Sequence, residues 1–390
     1  MNKMAAIIAL TISACSVAAA QEPRPVKIGL LSSFSGPFGI IGQSIGNAID
    51  LEVQANGGKL GGYPVEIIKQ DDQAKPDIAL QAATKLVEQD KVDILIGPSL
   101  TNGVLAVYQP VVKSKVVMIS TVSGPGELAG KFCNQYFFST SFQNSDVAAS
   151  MGEHIQRLGV KNLYLHAPNF EGGREVLGGV KRYYKGNVVK EVLTPMTQQD
   201  FSAELTQIRL AGPEAVFAFY PGNLAIAFVK QYAQAGLLPK IPLYTVSTID
   251  GSTLAAMGDA PVGTFQTASW NVDLPNEANK KFVSDYRAKY GASPTFYGAY
   301  AYDAARLIGS ALKQAGGASN REALVAALEK ADFPSVRGNF KFNKNHFPIQ
   351  DFHLLEAVKL PDGSVVQQTK SKVFDMHSDD YVSQCQMTRN

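Results

Sequence analysis

Residues 26–51 read VKIGLLSSFSGPFGIIGQSIGNAIDL, and the fold follows from this stretch. Val26 to Leu31 is a short, nearly continuous apolar run closed by Ser32-Ser33. Such a run marks a strand buried on both faces, as in a parallel sheet. A loop rich in serine and glycine follows, and Ile45 to Val53 then carries apolar residues at helical spacing. Further along, Tyr63 to Lys69, Val92 to Ile96 and Val116 to Ser120 read as strands. Asp77 to Gln89, opened by Pro76, and Leu105 to Lys113 read as the helices between them. Strands alternating with helices predict βαβ units and a doubly wound α/β sheet.

The same rhythm restarts after Asn144. Helices are expected over 147–158, 172–184, 201–210 and 225–235, and strands over 162–166, 188–192, 215–219 and 241–245. Three more helices (274–290, 297–314, 321–330) and strand-like segments at 338–342 and 352–358 follow. These late elements must pack on one or both of the earlier sheets, so the two units need not be contiguous in sequence.

Composition narrows the function. The 390 residues carry 36 Lys+Arg against 34 Asp+Glu, with 45% hydrophobic and 18% charged residues. That is a soluble globular composition of two or three domains. The even charge offers no basic field for nucleic acid or anionic lipid, so neither partner is expected, and a monomer is.

The start of the chain is biased. Lys3, the apolar run Met4 to Ile12 and Ala18-Ala19-Ala20 before Gln21 have the order of a secretory signal peptide over residues 1–20. Ile12-Ser13-Ala14-Cys15 also resembles a bacterial lipobox, which would leave Cys15 lipidated; cleavage after Ala20 is the preferred reading. Export to the periplasm then leaves Cys133 and Cys385 as an even pair in an oxidising compartment. One disulfide tying the C-terminal tail to the middle of the chain is expected, with two free buried thiols as the alternative.

Catalytic patterns are missing. The sequence has no GxSxG elbow, no Walker A loop and no HExxH. His154, His166, His346, His353 and His377 show no metal-ligand spacing, and no metal, cofactor or enzymatic activity is expected. The glycines of Gly124 to Gly130 are wrongly spaced for a dinucleotide loop and read as a turn. What the strand ends do carry is small hydroxyl residues and aromatics: Ser32 to Gly42, Gly97 to Gly103, and Thr121 to Pro125. Open α/β sheets bind ligands beyond the carboxyl ends of their strands. A helix N-terminus flanked by hydroxyls suits a carboxylate, because its first amides have no partner within the helix. Ordinary N-capping by Ser99 or Thr101 is the plainer alternative.

Across residues 25–370 the chain resembles the extracytoplasmic solute-binding proteins of ABC importers, in the branched-chain amino-acid-binding (Leu/Ile/Val-type) family. The resemblance rests on the opening stretch, on DDQAKPDIALQAATKLVEQDKVDILIGP, VVMIST and the DFSA of Asp200 to Ala203, and on YRAKYGASPTFYGAYAYDAARL. It implies a type I periplasmic-binding-protein fold: two doubly wound lobes joined by a three-crossover hinge that close on a solute and dock on an inner-membrane permease. The crossovers would lie near Phe138-Ser139-Thr140, Thr267-Ala268-Ser269 and Asn343 to Pro348. Lobe one would hold residues 25–139 and 270–345, and lobe two residues 140–269 and 346–390.

Carried over residue by residue, the family's carboxylate contacts fall on Thr101 and on Thr121, Val122 and Ser123, with Ser99 beside them. The aromatic near the first loop falls at Ile41, with Phe38 three residues earlier. Phe170 and Tyr220 offer second-lobe aromatics, and Trp270, the single tryptophan, sits at the second crossover. One departure bears on the solute. Amino-acid binders of the family place an acid after the strand ending near Thr245, to pair with the ligand ammonium. Ser247 occupies that position here, and Asp250 lies three residues on. A buried ammonium without an anion is strongly disfavoured. The TASWN and PTFYGAYAYDAARL segments resemble the branch that takes up aromatic acids. An aromatic carboxylate of the benzoate, hydroxybenzoate or coumarate type is therefore expected. A branched-chain amino acid or amide on the same fold is the first alternative, and an exported α/β hydrolase a remote one.

Overall fold

The computed structural model describes residues 24–387; the signal peptide expected over 1–20 and the possible lipid site at Cys15 lie outside the described residues. The first unit contains strands β1 (Val26–Ser32), β2 (Lys59–Leu60), β3 (Tyr63–Asp71), β4 (Ile94–Ile96), β5 (Val117–Ser120) and β6 (Phe137–Ser139). They are linked by helices α1 (Gly39–Ala55), α2 (Pro76–Thr84), α3 (Thr101–Lys113) and α4 (Gly126–Ala129). The sheet order is β2-β3-β1-β4-β5-β6, parallel from β3 to β6, with Ile28 beside Ile94 and Ile94 beside Val117. Ile28, Leu30, Leu31, Ile94, Leu95 and Ile96 are fully buried, as a sheet covered by helices on both faces requires.

The second unit contains α5 (Asn144–Arg157), β7 (Asn162–Pro168), α6 (Glu171–Tyr183), β8 (Asn187–Thr194), α7 (Ser202–Ala211), β9 (Ala215–Ala218), α8 (Asn223–Gln234), β10 (Leu243–Val246), α9 (Leu254–Met257) and β11 (Phe265–Ala268). The chain then returns to the first unit with α10 (Glu277–Tyr290), α11 (Phe296–Ala315) and α12 (Arg321–Glu329). Tyr290 donates to the Asn47 carbonyl in α1 at 2.8 Å, and Arg321 pairs with Asp93, just ahead of β4, at 3.1 Å. β12 (Phe340–Phe342), β13 (Pro348–Lys359) and β14 (Val365–His377) complete the second sheet, in order β12-β13-β11-β10-β9-β7-β8 with β14 on β13.

Two features depart from expectation. β12, placed with lobe one by the sequence boundary at 345, pairs antiparallel with β13, Phe340 opposite Gln350 and Phe342 opposite Pro348. Asn343 to Phe347 is accordingly a hairpin turn, closed by the Asn343 amide donating to the Phe347 carbonyl at 2.8 Å. The same turn also meets the first sheet, the Ser139 amide of β6 donating to the His346 carbonyl at 3.0 Å and His346 stacking on Phe138. Arg337 links α11 to β13: the buried guanidinium pairs with Asp303 of α11 at 2.9 Å and donates to Gln350 of β13 at 2.6 Å. The second departure is β14, a long strand with no counterpart in the sequence reading. Its exposed-edge pattern alternates weakly, and pairing with β13 gives it shape.

Cys133 and Cys385 form a disulfide with Cα atoms 5.6 Å apart. It ties the C-terminal segment to the loop just before β6. Among the described residues no helix is long and apolar enough to cross a membrane.

Candidate functional site

Each sheet reverses its winding where two neighbouring strands send their helices to opposite faces. In the first sheet that point lies between β1 and β4, and in the second between β7 and β9. Loops at such points leave a crevice beyond the strand ends. Here the two crevices face each other and enclose a small pocket.

The first unit contributes Ile41 from α1, Ser99, Leu100 and Thr101 from the β4–α3 turn, and Val122 and Ser123 after β5. The second contributes Phe170, Gly172 and Val176 after β7, Phe219 and Pro221 after β9, and Ser247 after β10. Phe142, Asn144 and Val147 enter from the first crossing, and Tyr297 from the first turn of α11. Phe170 and Phe219 stand with ring centroids 6.2 Å apart and planes tilted by 31°, opposite the aliphatic side chains of Ile41, Leu100 and Val122.

One side of the pocket is polar. Ser32 and Ser99 share a short hydroxyl–hydroxyl bond. Ser123 Oγ donates to the Ser99 carbonyl at 2.7 Å, and Thr101 Oγ1 lies 3.3 Å from Ser123 Oγ. Asn144 Nδ2 donates to Thr101 Oγ1 at 3.1 Å. Thr101 is also the first residue of α3, a helix of 13 residues, so the amides of its first turn have no acceptor within the helix. Hydroxyls and amides converge there, an arrangement that receives a carboxylate.

Among the described residues no charged side chain lines the pocket. Asp250, the alternative counter-ion for an ammonium, borders a separate cavity with Trp270, Arg287 and Gln367. Its Oδ1 accepts from the Ser252 amide and hydroxyl at 2.7 and 2.6 Å, and burial pushes its carboxyl up. Ser247 does line the pocket, so the residue at the acid's position is a hydroxyl.

Of the residues singled out from sequence, Ile41, Ser99, Thr101, Val122, Ser123, Phe170 and Ser247 meet at this pocket. Phe38, Thr121, Tyr220 and Trp270 do not line it. Phe38 instead sits across the lobe seam from Gly222, close to where a β-carbon on that glycine would lie. Thr121 is buried, its hydroxyl without a partner among the described residues. Tyr220 turns into the second core, bonded to His166 Nδ1 at 2.5 Å and Thr194 Oγ1 at 2.9 Å. Its neighbour Phe219 takes the pocket position, a one-residue slip at a strand end that reverses which side chain faces the crevice. Trp270 donates to Asn279 Oδ1 at 2.6 Å and packs edge-on against Phe282. Phe142, Asn144 and Tyr297 were not anticipated. The first two lie just past the expected crossover, which offered a local cue. Tyr297 had none, since only the return of α11 brings it here.

The lobes are closed around the pocket. The Glu171 amide of α6 donates to Asn102 Oδ1 of α3 at 3.2 Å, and the Gly126 amide donates to Glu175 Oε1 at 2.7 Å. A β-carbon on Gly172 would stand 2.6 Å from Thr101 Oγ1, so only glycine lets α6 approach this closely.

Two lobes with parallel cores, three crossings and a pocket at the facing switch points define a type I periplasmic-binding fold, the architecture of proteins that capture solutes for transport. The chain belongs to the periplasmic binding protein family, which it matches over residues 25–363, and it is a solute-binding protein of the ABC-transporter kind. It is 27% identical over 372 residues to Leu/Ile/Val-binding protein homolog 6 of Brucella melitensis, covering 93% of this chain and 95% of that one. An ABC transporter solute-binding protein from R. palustris, solved in complex with benzoate, is 31% identical with a TM-score of 0.88, covering 93% of this chain and all of that one. Another from Rhodopseudomonas palustris BisB5, in complex with 3,4-dihydroxybenzoic acid, is 28% identical with a TM-score of 0.86, covering 91% and 99%.

Proposed function

We propose that this protein captures a small aromatic carboxylate of the benzoate, hydroxybenzoate or coumarate type in the periplasm and delivers it to an ABC permease. The observation that carries this reading is a pocket with a hydroxyl-and-amide end, aromatic and aliphatic walls, and no charged side chain among the described residues. The carboxylate would accept from Thr101 and the first amides of α3, with Ser123 fixing the Thr101 side chain from its bond to the Ser99 carbonyl. The ring would lie among Phe170, Phe219, Ile41 and Val122, held by burial and edge contacts. An α-amino acid would leave its ammonium facing Ser247 without an anion, a large desolvation cost. The benzoate-type ligands of the two similar structures support the same solute class. Capture is mechanical: the solute favours the closed state, and the closed form is what the permease receives.

The name of the Brucella relative favours a second reading, a branched-chain amino acid. Calorimetry with benzoate, 4-hydroxybenzoate, 4-coumarate and leucine separates the two. Micromolar or tighter binding of an aromatic acid is expected; leucine binding with no response to any aromatic acid would overturn the proposal.

A further inference from the structure

We propose that Glu175 is the latch of lobe closure and positions the Thr101 hydroxyl for the solute, an inference that rests on this pocket being the solute site. Glu175 lies on α6 in the second lobe. Its Oε1 accepts from the backbone amide of Gly126 in the first lobe at 2.7 Å. Its Oε2 accepts from Asn144 Nδ2 at 2.5 Å. Asn144 Nδ2 also donates to Thr101 Oγ1 at 3.1 Å, while Asn144 Oδ1 accepts from the Gly124 amide at 2.8 Å. Both amide hydrogens of Asn144 are therefore used, one on Glu175 and one on Thr101. A hydroxyl that already accepts from Asn144 turns its own hydrogen away, toward Ser123 and the pocket. The Glu175 carboxyl group, through its two oxygens, holds this orientation without touching the solute.

Opening the lobes parts Glu175 from Gly126 and Thr101 from Asn144, and it returns the carboxylate to water. Closing removes part of that water and leaves Glu175 half-buried, at the edge of an open groove it shares with Glu127 and Glu171. Burial pushes the Glu175 carboxyl up to about 7, against the pull of the Gly126 and Asn144 hydrogen bonds. The groups facing it are Glu171 on its own helix and Glu127 on α4, whose charges push the same way. Tyr381 of the C-terminal segment packs over Gly126 beside it, and Arg182 bonds the Tyr381 hydroxyl at 2.8 Å. An exposed glutamate titrates near 4.3, so the closed lobes hold a proton that the open lobes release. Closure is then favoured fully below the open-state value, and that advantage fades as pH rises through about 7.

Affinity should fall on the order of tenfold or more between pH 5.5 and pH 8, with a proton taken up on binding. Calorimetry in two buffers of different ionisation heat measures both, using benzoate, 4-hydroxybenzoate and leucine as probes. For whichever probe binds, wild type is expected to show the slope and the proton uptake. Glu175→Gln, a mimic of the protonated acid, should bind with little pH dependence and no proton uptake. Glu175→Ala should be weaker at every pH. Glu153→Gln, on the surface of α5, should behave as wild type. A flat wild-type profile, or a wild-type slope surviving in Glu175→Gln, overturns the latch. Should leucine alone bind, with the slope present in wild type and lost in Glu175→Gln, the aromatic-acid reading fails and the latch stands.

Discussion

Gly222→Ala tests whether the lobes meet at Pro37 and Gly222 on closing, because its two effects separate cleanly. Gly222 sits in the loop after β9 with φ +63° and ψ −142°, a region that is nearly glycine-only. Alanine there is strained whether the lobes are open or closed, which should cost stability by roughly 1–3 kcal/mol and lower the melting temperature by a few degrees. That term cancels in binding. The second effect belongs to the closed state: the new β-carbon would lie 2.8 Å from the Pro37 carbonyl oxygen of the first lobe. Backbone on both sides leaves little room to yield, and overpacking of this kind costs about 1–3 kcal/mol. Closure therefore weakens, and solute affinity should fall roughly 5- to 150-fold. Gly178→Ala is the control, on α6 in the same lobe with nothing within 4 Å of its β-carbon. It should bind within twofold of wild type and melt no lower. Calorimetry and thermal unfolding supply both readings. Were Gly222→Ala to melt lower yet bind like wild type, Pro37 and Gly222 would not meet in the solute-bound protein, and the closed geometry would be wrong.

Thr101→Ala should weaken binding of an aromatic acid by roughly 1.5–3 kcal/mol, the range for a hydrogen bond to a charged group; Thr101→Ser should restore most of it, and unchanged affinity in Thr101→Ala would remove the carboxylate assignment. Cys385→Ser opens a link between positions 252 residues apart and should cost about 2–5 kcal/mol of stability. That loss appears as a lower melting temperature that added reductant does not lower further. His166, buried against Tyr220, has its pKa pushed down to about 3 by burial. Below about 6.5 the unfolded chain binds a proton that the folded one refuses, so this group lowers stability as pH falls from 6.5 toward 3. Denaturant unfolding of His166→Asn should show a shallower loss across that window than wild type; an equal slope would mean His166 is not held neutral.

Much of the fold was legible because buried parallel strands write themselves into sequence. VKIGLL, VDILI and VVMIS are apolar throughout, and the helices between them keep their period. β6 and β11 were harder: Phe137–Ser139 and Phe265–Ala268 are three- and four-residue strands at the crossings, too short for periodicity to declare. β12 pairs with β13 and packs Phe342 against Phe138 of β6, and strand character by itself says nothing about which sheet a strand joins. The pocket was legible in part. Ser99, Thr101 and Ser123 follow strand ends directly, where an open α/β sheet places its ligand. Tyr220 and Phe219 differ by one residue, and only backbone direction at the end of β9 decides which of them faces the crevice.

The amino-acid sequence by itself determined the two α/β units and the hydroxyl-rich loops that follow their strands. Each is a property of one segment and its own periodicity or chemistry. Tertiary structure alone decided that Asp250 lies outside the pocket, that Tyr297 lies inside it, and that Glu175 meets Gly126. Those facts depend on three chain crossings that bring together residues tens to hundreds of positions apart. A local pattern fixes which way a strand buries its face, but not what stands opposite once the lobes close.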